Sequence, residues 1–142
     1  MDKKIFRIID ANLNRSLEGL RVCEEITRFI LANKKLTYGF KNLRHNIVKS
    51  IKTWNIDNCL LLNFRNSAKD VGRASIESEL KRLTYQDVFF ANIQRAKESI
   101  RVLEEFSKLN NLKASAGFKN IRYSLYQLEK NTYPRLWNIR GN

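Results

Sequence analysis

Cysteine, glycine, proline and histidine are scarce in this chain of 142 residues, which contains two cysteines, five glycines, one proline and one histidine. Two cysteines cannot build a disulfide framework, and no Cys-x-x-Cys or Cys/His spacing indicates a metal site. We therefore expect the thiols of Cys23 and Cys59 to be reduced, and we expect no zinc.

Long apolar runs and standard catalytic motifs are missing as well. No segment approaches the roughly 18 apolar residues of a membrane span, and the Met-Asp-Lys-Lys start leads into a helical pattern without an apolar leader. We expect a cytoplasmic protein that does not contact membranes. The sequence has no Gly-x-x-x-x-Gly-Lys-Ser/Thr, Gly-x-Gly-x-x-Gly, nucleophile-elbow or His-Glu-x-x-His motif. Any phosphoryl transfer would therefore proceed without a standard nucleotide-binding loop.

Positive charge is the strongest compositional feature. The chain has 27 Lys and Arg against 14 Asp and Glu, a formal net charge of +13. This excess favours an anionic partner, which is a nucleic acid, an anionic membrane surface or a phosphorylated small molecule. The alternative is a lysine-rich bias spread over solvated faces.

Apolar residues recur at three- and four-residue spacing in four segments, which predicts amphipathic helices. The segments cover about 4–31, 36–54, 85–109 and 113–130. Turn formers at Asn33–Lys35 and Asn110–Leu112 separate them, so each half is predicted to be a helical hairpin. We expect a short helix over 75–83, and Tyr133, Pro134 and Trp137 after the last helix.

The two halves also repeat one pattern. ANLNRSLEGLRVCEE at 11–25 matches ANIQRAKESIRVLEE at 91–105, and GFKNLRHNI at 39–47 matches GFKNIRYSL at 117–125. Two hairpins related in this way most simply pack about a pseudo-two-fold axis. We predict one all-α domain over 1–142, a helical bundle of two duplicated hairpins (about 4–54 and 84–131) with a loop-rich connector (55–83).

The repeat places polar residues inside the apolar sector of a helix when residues are set at about 100° intervals. These residues are Asn12, Arg15, Asn92 and Arg95. Between each Asn and Arg lies a small residue, Gly19 or Ser99, which predicts either a close helix crossing or a hollow beside the guanidinium.

The second helix of each hairpin also carries an arginine toward its apolar side, Arg44 and Arg122. A buried guanidinium needs an anion, because an unpaired buried charge is costly. The internal candidates are Glu18, Glu25, Glu98, Glu105 and Glu129. A closed network of Arg, Glu and Asn is one interpretation, and a pocket in which arginines bind phosphate is the other.

The segment RNSAKDVGR at 65–73 concentrates residues that bind phosphate. Its acid, Asp70, is a candidate magnesium ligand or proton acceptor, although Asp followed soon by Gly, as in Asp70-Val71-Gly72, is also common in turns. His45 stands where the second repeat has Tyr123, and we interpret it as a packing or hydrogen-bonding residue.

A family resemblance rests on the stretches RIIDANLNRSLEGLRVCEEITRF, NLRHNI, RNSAKDVG, ANIQRAKESIRVLEEFSK and NIRYSLYQLE. Together they resemble the all-helical domain fused in front of thiamine-phosphate synthase in cyanobacteria and other bacteria. The resemblance covers about residues 6–130. Asn66 departs from the family pattern, in which Asp is expected after Arg, and this removes one carboxylate that might hold magnesium.

The resemblance implies thiamine biosynthesis with a phosphorylated hydroxymethylpyrimidine as ligand. The chain would phosphorylate hydroxymethylpyrimidine phosphate, using Mg²⁺ and ATP, or assist thiamine-phosphate synthase without a cofactor, and it would not be a complete synthase. The predicted phosphate- or substrate-binding residues are Asn12, Arg15, Arg44, Arg65, Asn92, Arg95 and Arg122. Asp70 is the predicted catalytic and metal-binding residue, and Glu18, Glu25, Glu98 and Glu105 are predicted to support the arginines.

Two other functions stay open. A basic helical module could bind nucleic acid, although no recognition-helix, zinc-finger or single-strand aromatic pattern supports this. A helical interaction partner without a small ligand is the other alternative. A steep loss of affinity with salt would indicate nucleic-acid binding, and the absence of any thermal shift with phosphorylated pyrimidines would indicate the protein partner.

Overall fold

The computed structural model describes residues 1–139, apart from the side chain of Ser78; these residues form helices joined by turns and contain no β-strand. The helices are α1 (Lys3–Glu25), α2 (Lys34–Thr53), α3 (Asn58–Phe64), α4 (Glu77–Leu80), α5 (Tyr85–Ser107) and α6 (Leu112–Leu136). A π-helical segment, Ile26–Ile30, continues α1, and a 3-10 turn, Ser67–Lys69, follows α3. The predicted all-α class is confirmed.

The helices α2 and α6 each begin at an asparagine cap, within the predicted breaks. Asn33 caps α2 and Asn111 caps α6, and their Oδ1 atoms accept from the backbone N–H groups of Leu36 and Ala114, at 2.9 Å in both cases. Such caps satisfy N–H groups that the first turn of a helix leaves unpaired. The two asparagines thus fix where α2 and α6 begin.

The last helix is longer than predicted, because α6 passes Lys130 and includes Tyr133 and Pro134. The expectation that these two residues follow the helix is wrong, and only Trp137 lies at its end. Proline in the final turn removes one backbone hydrogen bond near the helix end. The fully buried side chain of Leu136 holds this turn against the rest of the protein.

The four long helices share one apolar cluster. The most extensive packing is between α1 and α5, and α1 also packs on α2, α5 on α6, and α2 on α6. Fully buried side chains from all four meet in the cluster, including Leu20, Phe40, Phe89 and Phe118. Within 1–139, none of the helices combines the length and apolar character needed to cross a membrane. The pseudo-two-fold axis and the single-domain assignment stay predictions.

Gly19 allows α1 and α5 to approach closely. A Cβ at this position would lie 2.7 Å from the carbonyl oxygen of Asn92 and 3.4 Å from the Cβ of Ala96. A close helix crossing is therefore the role of this small residue. The equivalent Ser99 is buried and donates its hydroxyl within α5, at 2.8 Å to the carbonyl of Arg95.

The connector is anchored on α1 through α3. The ring of Phe64 stacks on Phe6 with 5.4 Å between centroids, and Leu61 is buried. This packing fixes the end of α3, where the segment 65–73 begins. The short helix expected over 75–83 forms only as α4.

Candidate functional site

A cavity of about 560 Å³ lies between the first half of α1 and the segment after α3, and we call it the loop cavity. Its charged and amide-bearing lining residues are Lys4, Arg7, Arg15, Arg65, Asp10, Asp70, Asn12, Asn14 and Asn66. The volume lies within the range of small-molecule pockets, about 300–1,000 Å³. Cations outnumber acids in this lining, so the cavity favours an anion.

An ion pair between Asp10 and Arg65 ties the connector to α1. Asp10 is 6% exposed, and Nε and Nη2 of Arg65 donate to its two carboxylate oxygens, at 2.7 Å each. This hydrogen bonding raises the pKa of Arg65 above its ordinary value. Among residues 1–139, Nη1 of Arg65 has no acceptor, so this nitrogen remains available to a ligand. Arg65 thus lines the cavity and also holds the connector against α1.

Two asparagines on α1 use their amide donors within the helix. Nδ2 of Asn12 donates to the carbonyl of Ile8 at 2.9 Å, and Nδ2 of Asn14 donates to the carbonyl of Asp10 at 2.9 Å. Within the described chain, neither side-chain oxygen receives a hydrogen bond. These oxygens are therefore acceptors for an N–H group of a ligand.

Asp70 lies in a turn and keeps one oxygen free. Its Oδ1 accepts from the backbone N–H of Gly72 at 2.9 Å, which is the turn chemistry expected of Asp before Gly. For Oδ2 the described residues provide no hydrogen-bond donor. Residues 1–139 contain no group of three or more His, Cys, Asp or Glu side chains that could hold a metal ion. Asp70 can therefore help to bind a cation only if a ligand supplies other oxygen atoms.

The inward orientation predicted for Arg15 and Arg95 is wrong, because both side chains are exposed. On the helical projection, Ile8 and Val22 beside Arg15 are only half-buried, whereas Ile26, which also lies beside it, is buried but belongs to the π-helical segment, where the 100° spacing no longer applies. The buried face of α1 is therefore narrower on this side than the positions of its apolar residues predict. Arg15 lies at its edge, where it lines the loop cavity.

Arg44 and Arg122 do turn toward the protein, and each is bound by a buried glutamate, Glu24 or Glu104, that was not among the predicted acids. Nε and Nη2 of Arg44 donate to Glu24 at 3.1 and 2.9 Å. Nε and Nη2 of Arg122 donate to Glu104 at 2.8 and 3.2 Å. Each of these two arginines is therefore neutralised by a glutamate of its own repeat, and a network of Arg, Glu and Asn between the repeats stays a prediction.

The acids expected to support the arginines lie elsewhere. Glu25 and Glu105 pair on the helix surface with Arg21 and Arg101, each at 2.9 Å. The exposed Glu18 and Glu98 make no ion pair within 1–139, and Glu129 pairs with Lys97 at 3.1 Å. Within residues 1–139, none of them makes an ion pair with Arg15, Arg44, Arg95 or Arg122, so their supporting role stays a prediction.

The structure brings four of the predicted site residues together in the loop cavity: Asn12, Arg15, Arg65 and Asp70. Arg44 lines a separate cavity near the start of α2. Asn92, Arg95 and Arg122 line neither, and Nδ2 of Asn92 donates to the carbonyl of Val88 at 2.8 Å. Their role in binding phosphate stays a prediction without support from the geometry.

The sequence contained a signal for the two missed glutamates but none for Asp10. Glu24 and Glu104 occupy equivalent places in the two repeats, as do their arginine partners. A charged pair kept in both repeats indicates a structural contact. Asp10 has no acidic equivalent, since the second repeat has Phe90 there, and its partner Arg65 lies in the connector.

An all-α fold with a basic cavity of small-molecule size defines a helical protein suited to binding an anionic ligand. The ThiD2 family model matches residues 7–131. The chain therefore belongs to the ThiD2 family.

Curated relatives extend this assignment. The chain is 40% identical over 126 residues to a thiamine-phosphate synthase of Synechocystis sp., covering 88% of the chain and 35% of the relative. It is 38% identical over 142 residues to that of Nostoc punctiforme, covering 96% and 39%. For the synthase of Rhodopirellula baltica the identity is 36% over 125 residues, covering 87% and 33%. The chain thus spans about a third of the length of these relatives, and no solved structure matches it.

Proposed function

We propose that this chain acts in thiamine biosynthesis and binds a phosphorylated hydroxymethylpyrimidine in the loop cavity, where it phosphorylates the ligand or holds it for thiamine-phosphate synthase. One observation carries the proposal. Arg15, Asn12 and Asp70 line a single basic cavity, and all three belong to the segment that matches the ThiD2 family. The assignment to thiamine biosynthesis is supported by the relatives, which are thiamine-phosphate synthases.

Three cations of the loop cavity are available for the ligand's phosphate group. Among residues 1–139, no carboxylate lies within ion-pair distance of Lys4, Arg7 or Arg15, whereas Arg65 is held by Asp10. Arg7 donates from Nη2 to the carbonyl of Asn66 at 3.2 Å, which places it beside the connector. A phosphate between these groups would accept several charge-assisted hydrogen bonds.

The asparagine oxygens give the cavity a way to recognise the pyrimidine. Oδ1 of Asn12 and Oδ1 of Asn14 have free acceptor capacity beside the cations. A heterocycle with an N–H group satisfies these acceptors, whereas a bare phosphate ion leaves them unpaired. The proposed ligand therefore combines a phosphate group with a hydrogen-bond-donating ring.

Phosphorylation of hydroxymethylpyrimidine phosphate requires little acid–base chemistry. An oxygen of the substrate phosphate attacks the terminal phosphorus of ATP, the bond to the bridging oxygen breaks, and ADP leaves as the pyrimidine diphosphate forms. The attacking phosphate is already largely deprotonated, because its second pKa is about 6. A general base is unnecessary, so positioning and charge neutralisation by cations such as Arg7 and Arg15 carry the rate.

Asp70 fits a magnesium ion that arrives with phosphate groups. Its free Oδ2 supplies one carboxylate oxygen, and Mg²⁺ in phosphate sites is held by one or two carboxylates together with phosphate oxygens and water. Both oxygens of Asp10 are bound to Arg65, so Asp10 is not a second ligand. When bound, the ion would neutralise charge on the transferred group.

The test of the reaction is incubation of the purified chain with hydroxymethylpyrimidine phosphate, ATP and Mg²⁺, with products identified by mass. Appearance of the pyrimidine diphosphate and ADP supports the kinase. Tight binding of the pyrimidine phosphate without turnover supports a companion of the synthase. Absence of both binding and product contradicts the proposal.

Arg15→Ala should weaken binding of hydroxymethylpyrimidine phosphate about 10- to 100-fold, because a hydrogen bond to a charged group contributes about 1.5–3 kcal/mol. Arg95→Ala is the matched control, since Arg95 is the exposed equivalent of Arg15 and lines neither cavity. Isothermal titration calorimetry measures both affinities. Equal losses in the two variants would mean that the ligand does not occupy the loop cavity alone.

A further inference from the structure

The second cavity that contains Arg44 lies at the turn between α1 and α2, and we call it the turn cavity. Its volume is about 500 Å³. The ionisable side chains around it are Arg21, Glu24, Arg28, Lys34, Lys41 and Arg44, with Tyr38 beside them. Five of these side chains are cations and one is an acid. Glu24 lies about 21 Å along α1 from Asp10, at 1.5 Å per residue, so the turn cavity is distinct from the loop cavity.

The charge of the turn cavity is not balanced by the protein. Glu24 binds Arg44, and Glu25 binds Arg21 at 2.9 Å. The described residues place no carboxylate within ion-pair distance of Arg28, Lys34 or Lys41. Five cations against these two glutamates leave an excess of three positive charges, which matches the charge of a diphosphate group near neutral pH.

Arg44 is held in place and still has a free donor. Nε and Nη2 bond to Glu24, and within residues 1–139 Nη1 has no acceptor. Its side chain is 19% exposed, so the guanidinium reaches the cavity from a fixed position. A preorganised arginine loses less conformational entropy when an anion binds.

The turn cavity arises from an insertion that the second repeat lacks. The N–H of Asn33 donates to the carbonyl of Thr27 at 2.9 Å, and the equivalent N–H of Asn111 donates to Ser107 at 2.8 Å. Between these bonded residues the first repeat has five residues and the second has three. The π-helical segment and Ala32, whose φ is 48°, absorb the two extra residues. Such segments and positive φ values are costly and are often found at functional sites.

In the second repeat, the equivalent arginine is covered by two aromatic side chains. Nη1 of Arg122 donates to the hydroxyl of Tyr126 at 3.0 Å, and the guanidinium lies 5.2 Å from the ring centroid of Tyr123 and 5.7 Å from that of Tyr126. The equivalent residues in the first repeat are His45 and Val48. The donor that Tyr126 satisfies in one repeat is therefore open in the other.

We propose that the turn cavity is a second anion site, which binds a ligand with two linked phosphate groups. Arg28, Lys34 and Lys41 neutralise the charge, and Nη1 of Arg44 donates to one phosphate oxygen. The N-terminal turn of α2 lines the cavity, so the positive end of its helix dipole adds to these side chains. This site does not depend on the ligand assigned to the loop cavity.

The test is titration of the full chain with inorganic pyrophosphate, followed by calorimetry and by amide NMR. Lys34→Ala/Lys41→Ala should weaken pyrophosphate binding about tenfold or more. Lys113→Ala/Lys119→Ala removes the same charge from exposed positions of α6 and should change the affinity less than about twofold. Amide signals of residues 28–44 should shift during the titration.

Equal losses in the two double variants would overturn the proposal, since they would indicate binding to the general positive charge. Amide shifts confined to residues 4–15 and 65–72 would overturn it too, because pyrophosphate would then occupy the loop cavity. Binding of hydroxymethylpyrimidine phosphate to Lys34→Ala/Lys41→Ala reports on the loop cavity alone. The two sites can thus fail or succeed independently.

Discussion

An equivalent Glu–Arg ion pair occurs in each of the two repeats, but its surroundings differ. Glu24–Arg44 in the first repeat borders a cavity, while Glu104–Arg122 in the second is 2% and 9% exposed and lies against two tyrosines. The hydrogen bond to Glu104 raises the pKa of Arg122 above its ordinary value. The same side-chain pair therefore serves stability in one half and remains open to a ligand in the other.

Removing one partner of the closed pair should have the largest effect on stability. Glu104→Gln leaves the buried guanidinium of Arg122 without a counter-charge, and we expect a loss of about 3–5 kcal/mol in the free energy of unfolding. Glu24→Gln should cost less, about 1–3 kcal/mol, because Arg44 reaches water. Urea unfolding measures both. Equal losses of unfolding free energy in the two variants would contradict the proposed difference between the repeats.

Copying the tyrosines of the second repeat into the first should close the open pair. In His45→Tyr/Val48→Tyr, each ring can cover Arg44, and we expect a gain of about 0.5–1 kcal/mol per ring. The gain should disappear when Arg44→Ala is added, which is the control in the same thermal unfolding experiment. A gain that persists without Arg44 would show that the rings act through apolar burial instead.

The smallest expected effect is a pH dependence from the surface of the second repeat. The hydrogen bond from Lys108 lowers the pKa of Glu105, and the charges of Lys108, Arg101 and Arg122 act in the same direction. A lowered pKa contributes stability above its ordinary value of about 4.3, and this contribution is lost as pH falls through the folded-state pKa. Glu105→Gln should therefore flatten the acid side of the stability profile. The exposed Glu18→Gln serves as control, and identical profiles would refute the assignment.

Much of the fold could be predicted, because it depends on local patterns. Three- and four-residue spacing set the long helices, and Asn33 and Asn111 lie in the breaks where α2 and α6 begin. The all-α class followed from these features. The extension through Pro134 could not be predicted, because the burial of Leu136 depends on tertiary packing.

The candidate site was predicted in part. Asn12, Arg15, Arg65 and Asp70 do share a cavity, but Arg15 lines it from the exposed edge of α1 rather than from the core. A helical projection shows which side chains share a face of one helix, but it does not show which other element packs on that face. For that reason the buried role of Asp10, whose partner comes from the distant connector, was not visible in the sequence.

The most direct test of the central claim, that the first half of the chain holds the ligand sites, is an amide NMR titration with hydroxymethylpyrimidine phosphate. We expect saturable shifts in residues 4–15 and 65–72, which surround the loop cavity, and none in the equivalent helix segment 84–95. Shifts of equal size in 84–95, or shifts confined to that segment, would contradict the account.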